Sequence, residues 1–571
     1  MDGPSDPSAR PWLAHYPPGV PADIEIPPRR IPELIHGSVE RWPDRTALVF
    51  YGARWSYRRM WIEAGRFAAA LQRDGFRSGD RLAIYLPNCP MYPIAYLGAL
   101  RLGLTVVQVS PLYLGQDLSG LLKDAAPKGI VTVEILYPNL EKIAAEFPPP
   151  LTYLAQLREF YPAFKRPFVN RVLKRRGMST RVPTSSNVRP WRTAVRTEGD
   201  VTDHVGDPAQ DVAVLQYTGG TTGTPKAAML THRNLVANAL QCQAWFHTAR
   251  PGKEIVLAAV PLFHVYGLTV VMNYPLIEGS TVVLMLRPDV DEVLQLISRY
   301  RPTEFPGVPA LYQAINLHPK VSQYDIRSIR ICLSGSAPLP ISVAKTFEGL
   351  TGGNLIEGYG LTETSPVTHA NPIGGERRAG SIGLPLPSTD QRIVDLGTGE
   401  RAMGPGEVGE LAIRGPQVFL GYYHRPEETA NVLKDGWLRT GDIATTDRDG
   451  YVYIVDRRKD LIIVGGFNVY PREVEEVLLQ HPSVRDAAVV GAPDPALGEI
   501  AVAFVVRKAD TSVTEAELIA FVRERIAHYK APRRVEFRTE LPRSGVQKVL
   551  RRTLRESLST GPAAGPTVPA R

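Results

Sequence analysis

Residues 217–230 read YTGGTTGTPKAAML, with Gly or Thr at every position from 218 to 223. Glycines without a Cβ let backbone N–H groups converge on an anion, and Thr218, Thr221, Thr222 and Thr224 add hydroxyl donors beside Lys226. The run follows the apolar stretch VAVLQYT (212–218) and precedes LTHRNLVANALQCQAWF (230–246), which has helical periodicity. That order predicts a strand, an anion-holding loop and a helix whose N-terminus faces the loop. A glycine-rich surface turn is the competing reading, disfavoured by so dense a Gly/Thr run next to a lysine. The GxxxxGK[ST] nucleotide loop is excluded. Pro225 precedes Lys226 and Ala227 follows it, so the metal-binding hydroxyl of that pattern is missing.

Strand and helix patterns alternate on both sides of the loop. ALVF (47–50), RLAIYL (81–86), TVVQVS (105–110) and GIVTV (129–133) predict strands, and YRRMWIEAGRFAAALQRDGF (57–76) predicts a helix. Further strands are predicted at VLAAV (256–260), STVVLML (280–286) and IRICLSG (329–335). The fold class is therefore α/β with parallel-rich sheets. From about residue 385 the texture turns β-rich, with QRIVD, GELAIRG and YVYIVDR as short strands. Charges cluster at RRKD (457–460), and residues 471–552 then read as a compact α+β unit. A chain of 571 residues exceeds one core. The expected organisation is a proline-rich arm (1–30), a large domain (31–455) carrying the β-rich subdomain, a break at 456–461, a small C-terminal domain (462–552) and a disordered tail (553–571).

Two uncharged runs, 82–100 and 255–277, raise the question of membrane spans. Pro87, Pro90 and Pro93 interrupt the first, and Pro261, His264, Asn273 and Pro275 the second, so both read as buried strands with turns. Cys89, Cys242 and Cys332 lie too far apart for a metal site or a disulfide framework, which suits a reducing cytoplasm. The first residues lack the apolar core of a signal peptide. The net charge of +8 is concentrated in an insert, 160–197, which holds ten Lys or Arg and no Asp or Glu. Phe164, Phe168, Val169, Val172 and Leu173 lie among these cations, a mixture suited to an anionic membrane surface. A solvated basic segment is the alternative. Nucleic acid is not expected, because no recognition motif accompanies the charge.

Three more stretches carry chemistry. In EGYGLTETSP (357–366), Glu363 follows a glycine turn; its oxygens suit Mg²⁺, and Tyr359 could stack on a base. WLRTGD (437–442) ends in Asp442, an acceptor for two ribose hydroxyls. LPRSGVQKVLRR (541–552) puts Lys548 in a basic turn. With LFHVYG, GSAPLP and DRRKDLIIVGGFNVYP, and in this order, these stretches resemble the adenylate-forming superfamily over about residues 30–552. The opening PWLAHYPPGVP and the similarity throughout point to bacterial long-chain fatty acid–CoA ligases.

The resemblance implies a large adenylate-forming domain and a small mobile C-terminal domain, with ATP and CoA as co-substrates and Mg²⁺ as cofactor. A fatty acid would become acyl-AMP and then acyl-CoA, in the cytoplasm or at the inner face of the membrane. It implies that Thr218, Gly219, Gly220, Thr221, Thr222, Gly223 and Lys226 close over the β- and γ-phosphates. Glu363 would bind the metal and Thr362 would contact the α-phosphate. Gly335, Ser336, Ala337 and Pro338, with Glu357, Gly358 and Tyr359, would frame adenine, and Asp442 and Arg457 would hold the ribose. Lys548 would bridge the carboxylate and the α-phosphate. His264, Val308 and Gly360 would line the acyl channel, although a core histidine is a rival reading of His264. Lys459 would be the hinge, and Gly465 and Gly466 would flank the pantetheine arm. The pattern departs at Gln547, where the family has Gly before its lysine. Aryl or short-chain substrates, or loading of a separate carrier protein, stand as alternatives. The resemblance leaves room for a homodimer.

Overall fold

The structure, a computed structural model, describes residues 10–175, 177–183, 185–199, 201–218, 226–465, 467–495, 497–543 and 549–559. The chain forms two compact units: Met1–Gln391 with Ile413–Leu438 and Arg448–Tyr451, and Arg392–Ala412 with Arg439–Asp447 and Val452–Arg571.

The first unit is built around an eight-stranded sheet. Its order is Gly421–Tyr422, Lys226–Thr231, Val212–Thr218, Thr105–Val109, Arg81–Tyr85, Gly129–Val133, Leu151–Ala155 and Val188–Pro190. From Val212–Thr218 to Val188–Pro190 neighbouring strands run parallel. Parallel strands are covered on both faces, and GIVTV is accordingly buried at every position. The helix Tyr57–Arg73 begins where the Ser56 side chain accepts the Arg59 N–H. It buries Met60, Ala64, Phe67 and Leu71 at three- and four-residue spacing. Two four-stranded sheets complete the unit. One orders Ile255–Ala258, Thr281–Leu284, Thr46–Phe50 and Ala53–Ser56, and the other Ile331–Ser334, Asn354–Gly360, Val367–Ala370 and Leu384–Pro385. Phe305, Tyr312 and Phe347 pack edge and face in the core beneath them.

Three expectations need correction. The residues on either side of the glycine run pair as antiparallel strands, with Thr218 opposite Lys226 and Tyr217 opposite Ala227. KAAMLT pairs as a strand, and the helix starts only at His232, so a strand and not a helix follows the glycine run. The physical reason is the cap. Thr231 and Asn234 exchange side-chain and backbone hydrogen bonds, which fixes the first turn after the strand. The uncharged runs are half helical: Met91–Arg101 is a helix with Pro93 in its first turn, and Gly267–Asn273 is a π-helical stretch continued by Tyr274–Ile277. The terminal helix Arg551–Ser559 extends into the expected tail, because Leu554 finds an apolar pocket with Phe504 and Leu541. The proline-rich arm is held to the first unit: Trp12 is buried and the Tyr16 hydroxyl donates to the Pro385 carbonyl at 2.6 Å.

In the second unit, Val484–Asp494 and Gly498–Arg507 form a long antiparallel pair, flanked by Ile462–Val464 and by the parallel strand Arg534–Arg538. Helices Pro471–Leu479 and Glu515–Arg523 bury Val474, Leu478, Leu518 and Val522 against it.

Candidate active site

In the first unit the site is assembled at the mouth of the glycine hairpin. Lys226 opens its second strand and forms an ion pair with Glu428, from the short helix Pro426–Val432. The Lys226 Nζ also lies 5.4 Å from the centre of the Tyr422 ring. Tyr422 sits on the two-residue strand Gly421–Tyr422, which pairs with the hairpin strand opposite Met229 and Ala228. Its hydroxyl donates to Glu363 Oε1 at 2.7 Å. Burial, then the adjacent Glu363 carboxylate, push the Tyr422 phenol above its ordinary value, so it stays a proton donor. The hairpin lysine and the candidate metal carboxylate thus share one neighbour, although Glu363 lies 59 residues from Tyr422 in sequence.

A second layer of charge supports this arrangement. Arg425 contacts Glu428 at 3.7 Å and Asp124 at 3.3 Å. Asp124 in turn accepts the Tyr217 hydroxyl at 2.6 Å, one residue before the hairpin tip. Asp124, Tyr422, Arg425 and Glu428 were not singled out from the sequence. The run YYHRPEE, with its aromatics, cation and acids before a short helix, is the signal that could have drawn attention to them.

Glu363 itself is set by a tight turn. Asn354–Gly360 runs antiparallel to Val367–Ala370, and the 3₁₀ turn Thr362–Thr364 connects them. Thr364 donates its hydroxyl to the Pro366 carbonyl at 2.5 Å, and the Leu361 N–H donates to the Thr364 hydroxyl at 3.0 Å. Gly360 is obligatory here, since any Cβ would collide with the Pro366 carbonyl. The Phe419 N–H donates to the Glu363 carbonyl at 2.8 Å, and Thr362 lies beside it in the same turn. Thr269, in the π-helical stretch, donates its hydroxyl to the Ser365 carbonyl at 2.5 Å. That bond joins the turn to the segment carrying His264. His264 is half-buried, not a core histidine, and its Nδ1 accepts the Tyr266 N–H at 3.2 Å. Gln216, on the first hairpin strand, donates to the Phe263 carbonyl at 3.1 Å.

The adenine candidates sit at strand ends. Ser334 is in register with Glu357 across parallel strands, which puts Gly335 beside Gly358. Gly335 is buried against Tyr266, while Ser336, Ala337 and Pro338 are exposed. Tyr359 meets His369 edge to face at 6.0 Å, opposite it in the antiparallel pair. Burial lowers His369 to about 4, partly offset by its hydrogen bond with Gln391 at 2.7 Å. Val308 caps the helix Pro309–Asn316 and packs partly buried against the core of the unit.

In the second unit Asp442 and Arg457 face each other across antiparallel strands, with Arg457 Nε 3.1 Å from Asp442 Oδ1. Asp442 is almost wholly buried. Beside it, Glu410 accepts from Arg439 at 2.5 Å, Arg458 at 2.8 Å and the Gly441 N–H at 3.0 Å. Lys459 lies in the 3₁₀ turn Arg458–Asp460, and Asp460 is gripped by Arg555 at 3.0 Å. Asp456, which accepts the Arg457 and Arg472 N–H groups, is raised to about 6, mainly by burial. Gly465 adopts φ +57° where its N–H donates to the Leu497 carbonyl. Gly219, Gly220, Thr221, Thr222, Gly223, Gly466 and Lys548 lie outside the described residues. Arg543 and Val549, on either side of that last position, form an isolated antiparallel bridge.

The AMP-binding enzyme family matches residues 35–423, and the AMP-binding enzyme C-terminal domain matches residues 473–548. A long-chain-fatty-acid–CoA ligase of Bacillus subtilis (strain 168) is 44% identical over 551 residues, spanning 96% of this chain and 98% of that protein. Its counterpart in Escherichia coli O157:H7 is 40% identical over 556 residues, spanning 95% of this chain and 98% of that one. Among solved structures, ATP-bound MatB from Rhodopseudomonas palustris is similar with a TM-score of 0.81 at 30% identity, over 93% of this chain and 99% of that chain.

Proposed function

The chain belongs to the AMP-binding enzyme family, and on that premise we propose how its residues divide the two half-reactions of an ATP-dependent fatty acid–CoA ligase. The enzyme joins a long- or medium-chain fatty acid to AMP, releasing pyrophosphate, and then passes the acyl group to the CoA thiol, releasing AMP. In the first step a carboxylate oxygen attacks the α-phosphorus of ATP and the bond to the pyrophosphate oxygen breaks. Both reactants are anions, so charge neutralisation is the main demand. The observation that carries the site assignment is the linked set Glu428, Lys226, Tyr422 and Glu363 at the hairpin mouth.

In this reading the hairpin from Thr218 to Lys226 covers the β- and γ-phosphates, and Thr362 contacts the α-phosphate. The strand ends at Gly335–Pro338 and Glu357–Tyr359 frame adenine. Asp442, held by Arg457, accepts from the ribose hydroxyls. Lys548 bridges the acid and the α-phosphate, a task suited to a point charge on a flexible stem. His264, Val308 and Gly360 line the acyl channel. Lys459 is the hinge of the small domain, and Gly465 with Gly466 passes the pantetheine arm.

Glu363 fits Mg²⁺ by its donor set. It is a carboxylate oriented by a neutral phenol, with no cation paired to it among the described residues. Mg²⁺ is commonly held through one or two carboxylates together with substrate phosphates, whose charge it offsets. No helix among the described residues is long and apolar enough to cross a membrane. The reading places the enzyme in the cytoplasm, working at the inner face of the membrane where apolar acids partition.

AMP release measured with a panel of carboxylic acids, with and without CoA, tests the function. Acid-dependent AMP with a CoA thioester, strongest for apolar chains, is expected. An enzyme that releases no AMP with any acid would sink the reading. Acyl-AMP that accumulates and never reaches CoA would favour carrier loading instead.

A further inference from the structure

We infer that the helix Arg166–Arg175, with Phe164 in the turn before it, docks this enzyme on an anionic lipid bilayer. The inference builds on the peripheral location proposed above and assigns the surface. Phe164, Phe168 and Val172 recur every four residues and are 73%, 62% and 47% exposed. Leu173 is buried on the opposite side and anchors the helix to the unit. At 3.6 residues per turn, Arg171, Arg175, Phe168 and Val172 fall within an arc of roughly 100°. The outer face therefore sets guanidinium groups beside large apolar side chains.

A water-facing helix surface normally carries polar residues, and an apolar stripe there marks contact with something else. The cations show what that something is. Lys165 donates to the Tyr51 carbonyl and Arg166 to the Tyr161 carbonyl, at 3.0 Å each. Arg171, Lys174 and Arg175, by contrast, have no acidic partner among the described residues. A lipid surface satisfies both groups at once. The rings enter the boundary between headgroups and chains, while long Arg stems reach up to the phosphates. An acidic protein would meet the cations but would have to bring its own apolar surface for the stripe. The charge complementarity and the exposed apolar stripe thus favour a bilayer.

The test is partition of the full chain onto sedimented vesicles, comparing phosphatidylcholine mixed with phosphatidylglycerol against phosphatidylcholine alone. Binding is expected to the mixed vesicles only, and to weaken as salt is raised. The Phe164→Ala, Phe168→Ala double variant should lose at least about tenfold in partition. Arg171→Ala and Arg175→Ala should each lose about fivefold, and Arg→Lys at both positions should retain most binding. All variants should release AMP at the parent rate from a soluble medium-chain acid without vesicles, which shows that they are folded. Partition unchanged by the Phe pair, or equal on uncharged vesicles, would overturn the inference. So would self-association that the Phe pair abolishes in a chain that never binds vesicles. If vesicle binding follows the variants as expected but no acid yields AMP, the docking stands and the catalytic reading fails.

Discussion

Replacing Tyr422 with Phe removes the hydroxyl that lies 2.7 Å from Glu363 Oε1 but leaves the ring beside Lys226. A hydrogen bond to a charged group contributes about 1.5–3 kcal/mol. The variant should therefore lose about tenfold to a hundredfold in kcat/KM for acyl-AMP formation and need more Mg²⁺ to saturate. Initial rates across a Mg²⁺ series check this, and an unchanged Mg²⁺ dependence would count against Glu363 as the metal carboxylate. His369 offers a pH test. Its folded value, about 4, lies below the ordinary 6.5, so the unfolded chain binds the extra proton between these values. Its contribution to stability is full above pH 6.5 and is lost as the pH falls toward 4. The imidazole should stay neutral at pH 5 by NMR, and urea midpoints should fall over that window less steeply in His369→Gln. Glu363 was legible because a carboxylate just after a glycine turn is conspicuous in EGYGLTETSP. Tyr422 and Glu428 were not, because their meaning comes from partners far away in sequence. YYHRPEE taken alone is a polar turn.

At the scale of elements, most strands could be read from apolar runs between turn residues, since buried parallel strands carry no polar face to confuse the pattern. The glycine run shows the limit. Its Gly and Thr residues announced a tight loop, but hairpin and strand–helix junction look alike until the following residues are assigned. KAAMLT could have begun a helix. It pairs instead because Val212–Thr218 offers it a free neighbour, and Thr231 delays the helix to His232. Thr231→Ala should therefore lower stability by about 1 kcal/mol, seen as a lower urea midpoint at unchanged slope. Because Asn234 also donates to the Pro416 and Val418 carbonyls, KM for ATP should rise in the same variant. The helix Arg166–Arg175 was the opposite case. Composition marked the segment, but only the backbone shows that Phe168 and Val172 share one outward face with Arg171 and Arg175.

For the whole molecule, the motifs followed one another in an order that a single family explains, so the overall fold was the most legible feature. Lys548 gives the sharpest whole-enzyme test. Lys548→Ala should abolish acyl-AMP formation from acid and ATP yet still convert supplied acyl-AMP to thioester with CoA, each followed separately by chromatography. Loss of both half-reactions together would refute the assignment. The path of the chain was harder to foresee. The second unit takes in Arg392–Ala412 and Arg439–Asp447 as well as the C-terminal length, and Glu410 meets Arg458 while Asp442 meets Arg457. A protein split at 456 and expressed as two pieces should thus give a soluble large piece only in low yield, since Glu410 would keep Arg439 but lose Arg458. The partly exposed Arg458 contributes no more than about 1 kcal/mol to that cluster, and the split also takes away Arg457, which pairs with the buried Asp442. The small domain is, for the same reason, a poor unit of exchange: a recombinant that swaps it at the charged RRKD turn inherits carboxylates whose cations came from the other parent, and the two can be shuffled freely only if residues 392–412 and 439–447 travel with it.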